Sequence, residues 1–289
     1  MKKYLKLIRV EQYIKNVFVF APLFFDSQFL ILHNLINVFW AFICFCMASS
    51  SVYILNDYFD INEDRNHPQK CKRPLASGSI SIKNGLSLLF FLLLTTIVFS
   101  IIISKELFFI IGFYLILNLF YSKWLKHIAI LDVNIIALGF ILRIVAGSVV
   151  SDVVPSIWIL LITYLLALFL GISKRRTDVI LAENGKEVRK NIEGYNLVFV
   201  DGILGILASI IIVCYIFYCI SPEVQLHYHS DLLYISILFV VNGIFRYLKL
   251  VFVDQSTYSP TKIVLKDRFI QITIFGWLFL MSYLLYFRN

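Results

Sequence analysis

Nine apolar segments, most of them about as long as a lipid bilayer is thick, decide what this chain can fold into. They lie near Val17–Leu32, Leu35–Leu55, Gly85–Ile103, Leu107–Phe120, Ile128–Val149, Ser156–Ile172, Leu197–Ile220, Leu232–Phe245 and Phe269–Phe287. In hydrocarbon every backbone N–H and C=O must be satisfied internally, and single segments of this length do so as helices. The expected fold class is all-α: a polytopic membrane protein, a nine-transmembrane-helix bundle forming one integral membrane domain over residues 1–289. Composition removes the alternatives. The chain is 60% hydrophobic and 15% charged, whereas a soluble domain runs near 45–50% and about 25%. A soluble enzyme, a disordered tail and a secreted disulfide scaffold are excluded. The first segment is interrupted by Pro22 and Asp26, and the fourth is short, following a break at Ser104-Lys105-Glu106.

Charge sets the expected orientation. If the N-terminus and the loops after segments 2, 4, 6 and 8 share one side, that side carries all of the 26 Lys and Arg except Lys105, Arg143 and Arg288. The positive-inside rule then places the N-terminus in the cytoplasm and the C-terminus outside. The net charge of +8 is thereby accounted for, and no nucleic-acid partner is expected. The segment MKKYLKLIRVEQYIKN is basic and amphipathic, without a small-residue cleavage site, and reads as a retained helix at the membrane surface. The longer, charged loops, at about 57–84, 173–196 and 246–268, fall on the cytoplasmic side, with a short turn at 121–127, so chemistry is expected there. Five Cys and five His show no metal-ligand or disulfide spacing.

The second segment runs into Asn56-Asp57-Tyr58-Phe59-Asp60-Ile61-Asn62-Glu63-Asp64. Asp57, Asp60 and Asp64 follow an i, i+3, i+7 spacing, which puts three carboxylates on one helical face, with Asn56 close to the same face. Like charges so placed destabilise a bare helix, and more so beside a bilayer. A cation on that face resolves the conflict. All-oxygen donors suit Mg²⁺, which takes one or two carboxylates and completes its shell with water and phosphate. Asp57, Asp60 and Asp64 are therefore the expected metal ligands, and a metal-bound diphosphate the expected ligand class. A solvated acidic cap is the plainer reading, and it leaves the shared face unexplained. The basic stretch that follows, from Arg65 through Lys72 and Arg73 to Pro74, supplies a guanidinium fork and point charges for phosphate oxygens.

Asn-Asp-x-x-Asp-x-x-x-Asp at 56–64, followed by Arg-Pro-x-x-x-Gly at 73–78, resembles the first aspartate motif of the UbiA-type membrane prenyltransferase superfamily. Further stretches are similar to one branch of it, the decaprenyl-phosphate phosphoribosyltransferases. These are Gln12-Tyr13-Ile14-Lys15-Asn16, Tyr121-Ser122 with Leu125-Lys126-His127, Leu131-Asp132-Val133, Leu142-Arg143-Ile144-Val145-Ala146-Gly147 and Lys174-Arg175-Arg176. The resemblance implies a helix bundle with a cytoplasm-facing cavity in a bacterial inner membrane. It also implies Mg²⁺ as cofactor, and phosphoribosyl diphosphate and a polyprenyl phosphate as substrates. The implied reaction is transfer of 5-phosphoribosyl with release of diphosphate, for cell-envelope glycan precursor synthesis. Substrate contacts are expected from Lys15, Asn16, Asn56, Arg65, Lys72, Arg73, Tyr121, Lys126, Arg143, Lys174, Arg175, Arg176 and Asp178.

One departure from the superfamily pattern bears on the donor. In place of a second aspartate cluster stands Lys174-Arg175-Arg176-Thr177-Asp178, with Glu183 off the face. Cations there suit a donor carrying an additional phosphate. Lys174 and Asp178 are also spaced for a simple i, i+4 ion pair. Arg143 lies within the fifth segment, where an unpaired charge costs at least about 2.5 kcal/mol, so it is expected to face phosphate inside the bundle. Two other readings remain: a prenyltransferase using a prenyl diphosphate donor with an aromatic or other acceptor, and an anion transporter. A homo-oligomer is compatible with the sequence, which carries no mark of its interface.

Overall fold

The computed structural model describes residues 2–66, 70–183, 192, 194–255 and 260–287. The loop residues His67, Pro68 and Gln69 and the basic residues Lys186, Arg189, Lys190 and Arg288 lie outside them. Among the described residues the secondary structure is helical throughout, and eight helices are long and apolar enough to cross a membrane. These are α3 (Leu32–Phe59), α5 (Ile82–Ile103), α6 (Lys105–Lys123), α7 (Leu131–Ser151), α8 (Ile157–Glu183), α9 (Leu197–Ile220), the stretch Leu232–Phe252 ending in α11 (Ile237–Phe252), and α13 (Arg268–Tyr286).

The first expected segment, Val17–Leu32, is not a single helix. After α1 (Lys2–Leu7), a 3₁₀ helix covers Val10–Phe20 and passes into α2 (Ala21–Phe25). Pro22 sits in the first turn of α2, where its missing N–H is no loss, and the chain then turns at Asp26. Ser27 adopts φ 56°. The fourth segment, by contrast, is longer than expected. Ser104 is extended, ends α5 and caps α6, its hydroxyl accepting from the Leu107 amide at 3.2 Å.

The chain divides into two compact units, residues 1–155 and 156–289. In the first, α3 is the central element and packs against α5, α6, α7 and the 3₁₀ helix. Small side chains allow the closest approaches. Ala48, Ser49, Ser50 and Ser51 of α3 are all buried, and Ser50 Oγ donates to the Cys46 and Ile8 carbonyls at 2.8 and 3.0 Å. At Gly147 of α7 a Cβ would collide with the backbone carbonyl of Val19, so the 3₁₀ helix lies directly on that helix. The short α4 (Ile61–Asn66) continues from α3 after a turn at Asp60.

In the second unit α8 lies along α9, and α11 packs on α9 and α13. Short helices α10 (Pro222–His227) and α12 (Pro260–Lys266) occupy its connections. The expected loop at 173–196 begins later than the sequence suggested: α8 runs on to Glu183, so Lys174 to Asp178 are helical. Likewise α11 extends through Arg246 and Lys249. Phe39, Phe90 and Phe91 are exposed, as lipid-facing rings would be, while Phe169 is buried against Tyr247.

Candidate active site

The acidic motif is split two and one by the end of α3. Asp60 takes the C-cap position at φ −91°, ψ 9°, and α4 restarts at Ile61. This turn brings Asp57 and Asp64 together from the end of one helix and the first turn of the next. Both are 2% exposed, and both reach the same nitrogen, Arg73 Nη1, at 3.2 and 2.6 Å. Arg9 donates to the same Asp57 oxygen, Oδ1, that faces Arg73, and its guanidinium lies 4.7 Å from the centre of the Tyr53 ring. Asp60 is paired with Lys126 from the turn after α6. The three carboxylates thus engage two separate cationic groups. Among the described residues no three His, Cys, Asp or Glu side chains form a ready-made metal cage.

The donor chemistry nevertheless suits a hard divalent cation. Two buried carboxylates converge on one cationic atom, and the Asn56 Oδ1, one residue from Asp57, is buried with no hydrogen-bond partner among the described residues. A cation that takes one or two carboxylates and fills its shell from phosphate needs no larger protein cage.

The residues around this centre are held by local structure. Arg73 follows the 3₁₀ turn Lys70–Lys72, and its amide donates to the Lys70 carbonyl at 2.8 Å. Pro74 then starts a tight stretch closed by Ile80 N–H to the Pro74 carbonyl at 3.1 Å, with Gly78 at φ 68°. Arg65 is exposed and donates from Nε to the Ala76 carbonyl at 3.4 Å. Lys72 is exposed too, and its carbonyl accepts from Lys6 Nζ at 3.0 Å. Lys126 belongs to a 3₁₀ turn, Leu125–His127, whose exit is tight. Ile130 sits at φ 68°, ψ −48°, and Leu131 N–H bonds back to the Ala129 carbonyl at 2.8 Å, a strained γ-turn for a β-branched residue.

A second group lies along the 3₁₀ helix and α7. Arg143 is 6% exposed. Its Nε donates to Asn16 Oδ1 at 2.8 Å, Nη1 to the Gly139 carbonyl at 2.6 Å and Nη2 to the Tyr114 hydroxyl at 3.3 Å. Asn16 is fixed in turn by donating to Ser49 Oγ and Cys46 Sγ, both at 3.2 Å. Lys15 is within electrostatic reach of Arg143, Tyr114 and Tyr121.

The cations of the second unit are arranged differently from the sequence expectation. Asp178 pairs with Arg175, at 2.7 Å and i, i+3, in place of the expected pair with Lys174. Arg176 is tied to Asp201 at 2.7 Å and to the Val251 carbonyl at 2.7 Å, with Phe252 against its guanidinium. That side chain joins α8, α9 and the end of α11. Lys174 is exposed.

Sequence reasoning missed Arg9, Tyr53 and Tyr114. Tyr53 was within reach of it, being one turn before Asp57 on the same face. Arg9 and Tyr114 meet their partners across 48 and 29 residues, and no local spacing announces such contacts.

Residues 28–273 match the UbiA prenyltransferase family. The chain is 31% identical to a decaprenyl-phosphate phosphoribosyltransferase of Mycolicibacterium smegmatis, over 98% of this chain and 92% of that protein. It is 28% identical to the protein of the same name from Corynebacterium glutamicum, over 95% and 84%. In structure it is similar to a UbiA homolog from Archaeoglobus fulgidus bound to DMAPP and Mg²⁺, with a TM-score of 0.74 and 17% identity over 96% of this chain and 98% of that one. The helical fold, the aspartate motif with its basic counterpart and these matches together make the chain a member of the UbiA prenyltransferase family, a multi-pass membrane protein.

Proposed function

We propose that the chain transfers a 5-phosphoribosyl group from phosphoribosyl diphosphate to a polyprenyl phosphate, releasing diphosphate, as a step toward cell-envelope glycan precursors. The observation that carries this reading is the convergence of Asp57 and Asp64 on Arg73, beside the Asp60–Lys126 pair. It is a set of acids and cations that an incoming metal diphosphate can exchange partners with. The names of the relatives over nearly the whole chain supply the substrate class.

The reaction joins an oxygen of the acceptor phosphate to C1 of the ribose. The bond from C1 to the diphosphate oxygen breaks, and its electron pair leaves with diphosphate. The second pKa of a phosphate monoester is about 6, so near neutral pH the acceptor is already largely a dianion and needs no general base. Asp57, Asp60 and Asp64 would hold Mg²⁺, with Asn56 Oδ1 as a further oxygen donor. When bound, the metal supplies positive charge to the departing diphosphate. Arg73 and Lys126 turn from carboxylate to phosphate oxygens as donor enters, adding fixed charge in an enclosed site where it weighs more. Arg9 stays with Asp57 as its counter-charge.

This reading places the protein in a bacterial inner membrane with its N-terminus cytoplasmic and its C-terminus extracytoplasmic. Support comes from the distribution of basic residues and from the length of the broken first segment. The 3₁₀ helix, 11 residues long and rising about 2 Å per residue, reaches about 30 Å with α2, about the thickness of a bilayer core.

The test is mass spectrometry of the lipid product made by purified protein in nanodiscs from phosphoribosyl diphosphate and a defined polyprenyl phosphate, with Mg²⁺. Asp57→Asn and Asp64→Asn are expected to lower the rate at least about 100-fold. Product formed only from a prenyl diphosphate and an aromatic acceptor would establish the prenyltransferase reading instead. Solute uptake into proteoliposomes without chemistry would establish a transporter.

A further inference from the structure

Two stretches of the first unit meet where α3 ends, residues 58–60 and residues 120–126, and they meet at two points. At one, Lys126 pairs with Asp60. At the other, Lys123 Nζ lies 5.6 Å from the centre of the Phe59 ring and 5.6 Å from that of Trp124. Phe120 packs beside Trp124, with ring centres 5.6 Å apart. Both meeting points use neighbours in the chain: Phe59 precedes Asp60, and Lys123 comes three residues before Lys126. The aromatic cluster is therefore continuous with the ion pair.

This cluster is open. Phe59, Phe120, Lys123 and Trp124 are all exposed, and among the described residues no carboxylate pairs with Lys123. The turn that follows exposes more apolar surface, with Ile128 at 51% and Ile130 at 53%. A turn that faces water is ordinarily polar. One that turns a Trp and two Ile outward beside a Lys has the make-up of the headgroup boundary, where rings and lysine stems face acyl chains and the ammonium faces water.

The fitting ligand is an amphiphile with an anionic head and an apolar tail. An ordinary phospholipid diester carries its single charge behind a glycerol. A polyprenyl phosphate carries nearly two charges near neutral pH, directly on an unsaturated, methyl-branched tail. One ammonium and the rings beside it can engage that head and the first isoprene units together. The proposed reaction also requires the acceptor phosphate to travel from the leaflet to the carboxylates, and Asp60 is one residue from this surface.

We propose that Phe59, Lys123 and Trp124 form a docking site at which the phosphate of the lipid acceptor is taken from the membrane before it reaches the Asp60–Lys126 pair. The inference rests on the reading given under Proposed function and deepens it. Lys123 holds the phosphate, and the two rings flank the start of the isoprenoid tail. Lys126 is the next cation along the turn, so the head passes from one ammonium to the other while the tail stays among acyl chains.

Lys123→Gln, Lys123→Arg and Trp124→Leu all change exposed side chains. Steady-state kinetics in nanodiscs would give KM for the acceptor, as its mole fraction in the bilayer, and KM for phosphoribosyl diphosphate. Loss of one charge-assisted hydrogen bond at an exposed site predicts an acceptor KM about 10-fold higher in Lys123→Gln, with kcat and the donor KM changed less than about 3-fold. Lys123→Arg should keep the acceptor KM within about 3-fold of wild type. Wild type should prefer a prenyl phosphate to a saturated alkyl phosphate of equal length. Trp124→Leu keeps the apolar surface without the ring and should lose that preference. Native mass spectrometry with a short-chain prenyl phosphate, at rising phosphatidylglycerol, would report binding without turnover.

An unchanged acceptor KM in Lys123→Gln overturns the docking site. Equal loss of prenyl phosphate and phosphatidylglycerol binding in that variant marks an ordinary headgroup contact and overturns it too. So does a rise in both KM values together with a lowered melting temperature, which marks a structural role. If the wild-type protein forms no phosphoribosyl lipid, the reaction is wrong, and prenyl phosphate bound to wild type against Lys123→Gln still decides whether the docking site exists.

Discussion

Arg73 Nη1 stands between two buried carboxylates that lie seven residues apart, and the turn at Asp60 is what lets one nitrogen serve both. Removing one member of a buried ion-pair group leaves the others uncompensated, at about 3–5 kcal/mol. Arg73→Met is therefore expected to lower the melting temperature in detergent clearly, and Mg²⁺ with diphosphate should restore part of the loss by neutralising the two acids again. Mg²⁺ without diphosphate should restore less. Arg73, Lys126 and all three Asp were legible in the sequence, because each belongs to a short motif whose residue types match one chemistry. The division of the acids into a pair and a single was not, since it depends on where α3 ends. The same limit applies to Arg176, whose partner Asp201 is 25 residues away on α9.

Among the elements, the 3₁₀ helix and α7 meet backbone to backbone at Gly147. A methyl group at Gly147 meets the Val19 backbone, which cannot rotate aside as a side chain does. Gly147→Ala is expected to destabilise the first unit by about 1–3 kcal/mol, read as a loss of thermal stability, and to weaken activity through the displaced Lys15 and Asn16. At Gly85 the obstacle is the flexible end of the Leu75 side chain, 2.7 Å from where an alanine methyl would sit, so Gly85→Ala should cost less. In the second unit, Asp267 caps α13 by accepting from the Ile270 amide at 2.9 Å and takes the Arg246 fork at 2.7 Å. The hydrogen bond from Arg246 pulls its carboxyl below the ordinary range. The stabilisation from a depressed carboxylate is present above its unfolded pKa of about 3.9 and is lost as pH falls through the lower folded value. Unfolding of wild type and Asp267→Asn should accordingly differ at pH 7 and converge in acid. Hydropathy located the long helices well. It did not show the 3₁₀ helix, because a run of that length goes against the usual preference for short pieces, and it ended α8 too early, because charged residues there are buried by pairing instead of leaving the helix.

For the molecule as a whole, the uneven distribution of Lys and Arg makes a direct topological prediction. Single cysteines placed at exposed Lys72 and Glu223, on a background lacking the native five, should label from opposite sides of the membrane, Lys72 from the cytoplasm. Labelling of both from one face would contradict the orientation. The membrane class and bundle were readable from apolar length alone, whereas the pairing of helices within each unit follows from small residues and buried polar contacts scattered along the chain. Ser104 adds a mechanical property to the first unit. α5 and α6 lie against each other and are joined by that single residue, so the hairpin behaves like a clothes peg with its spring at one end. Its two arms can part only at their free ends, where α6 leads into the Lys126 turn. Loosening of the contact between the arms is therefore expected to be felt first at the Lys126 turn and last at Ser104.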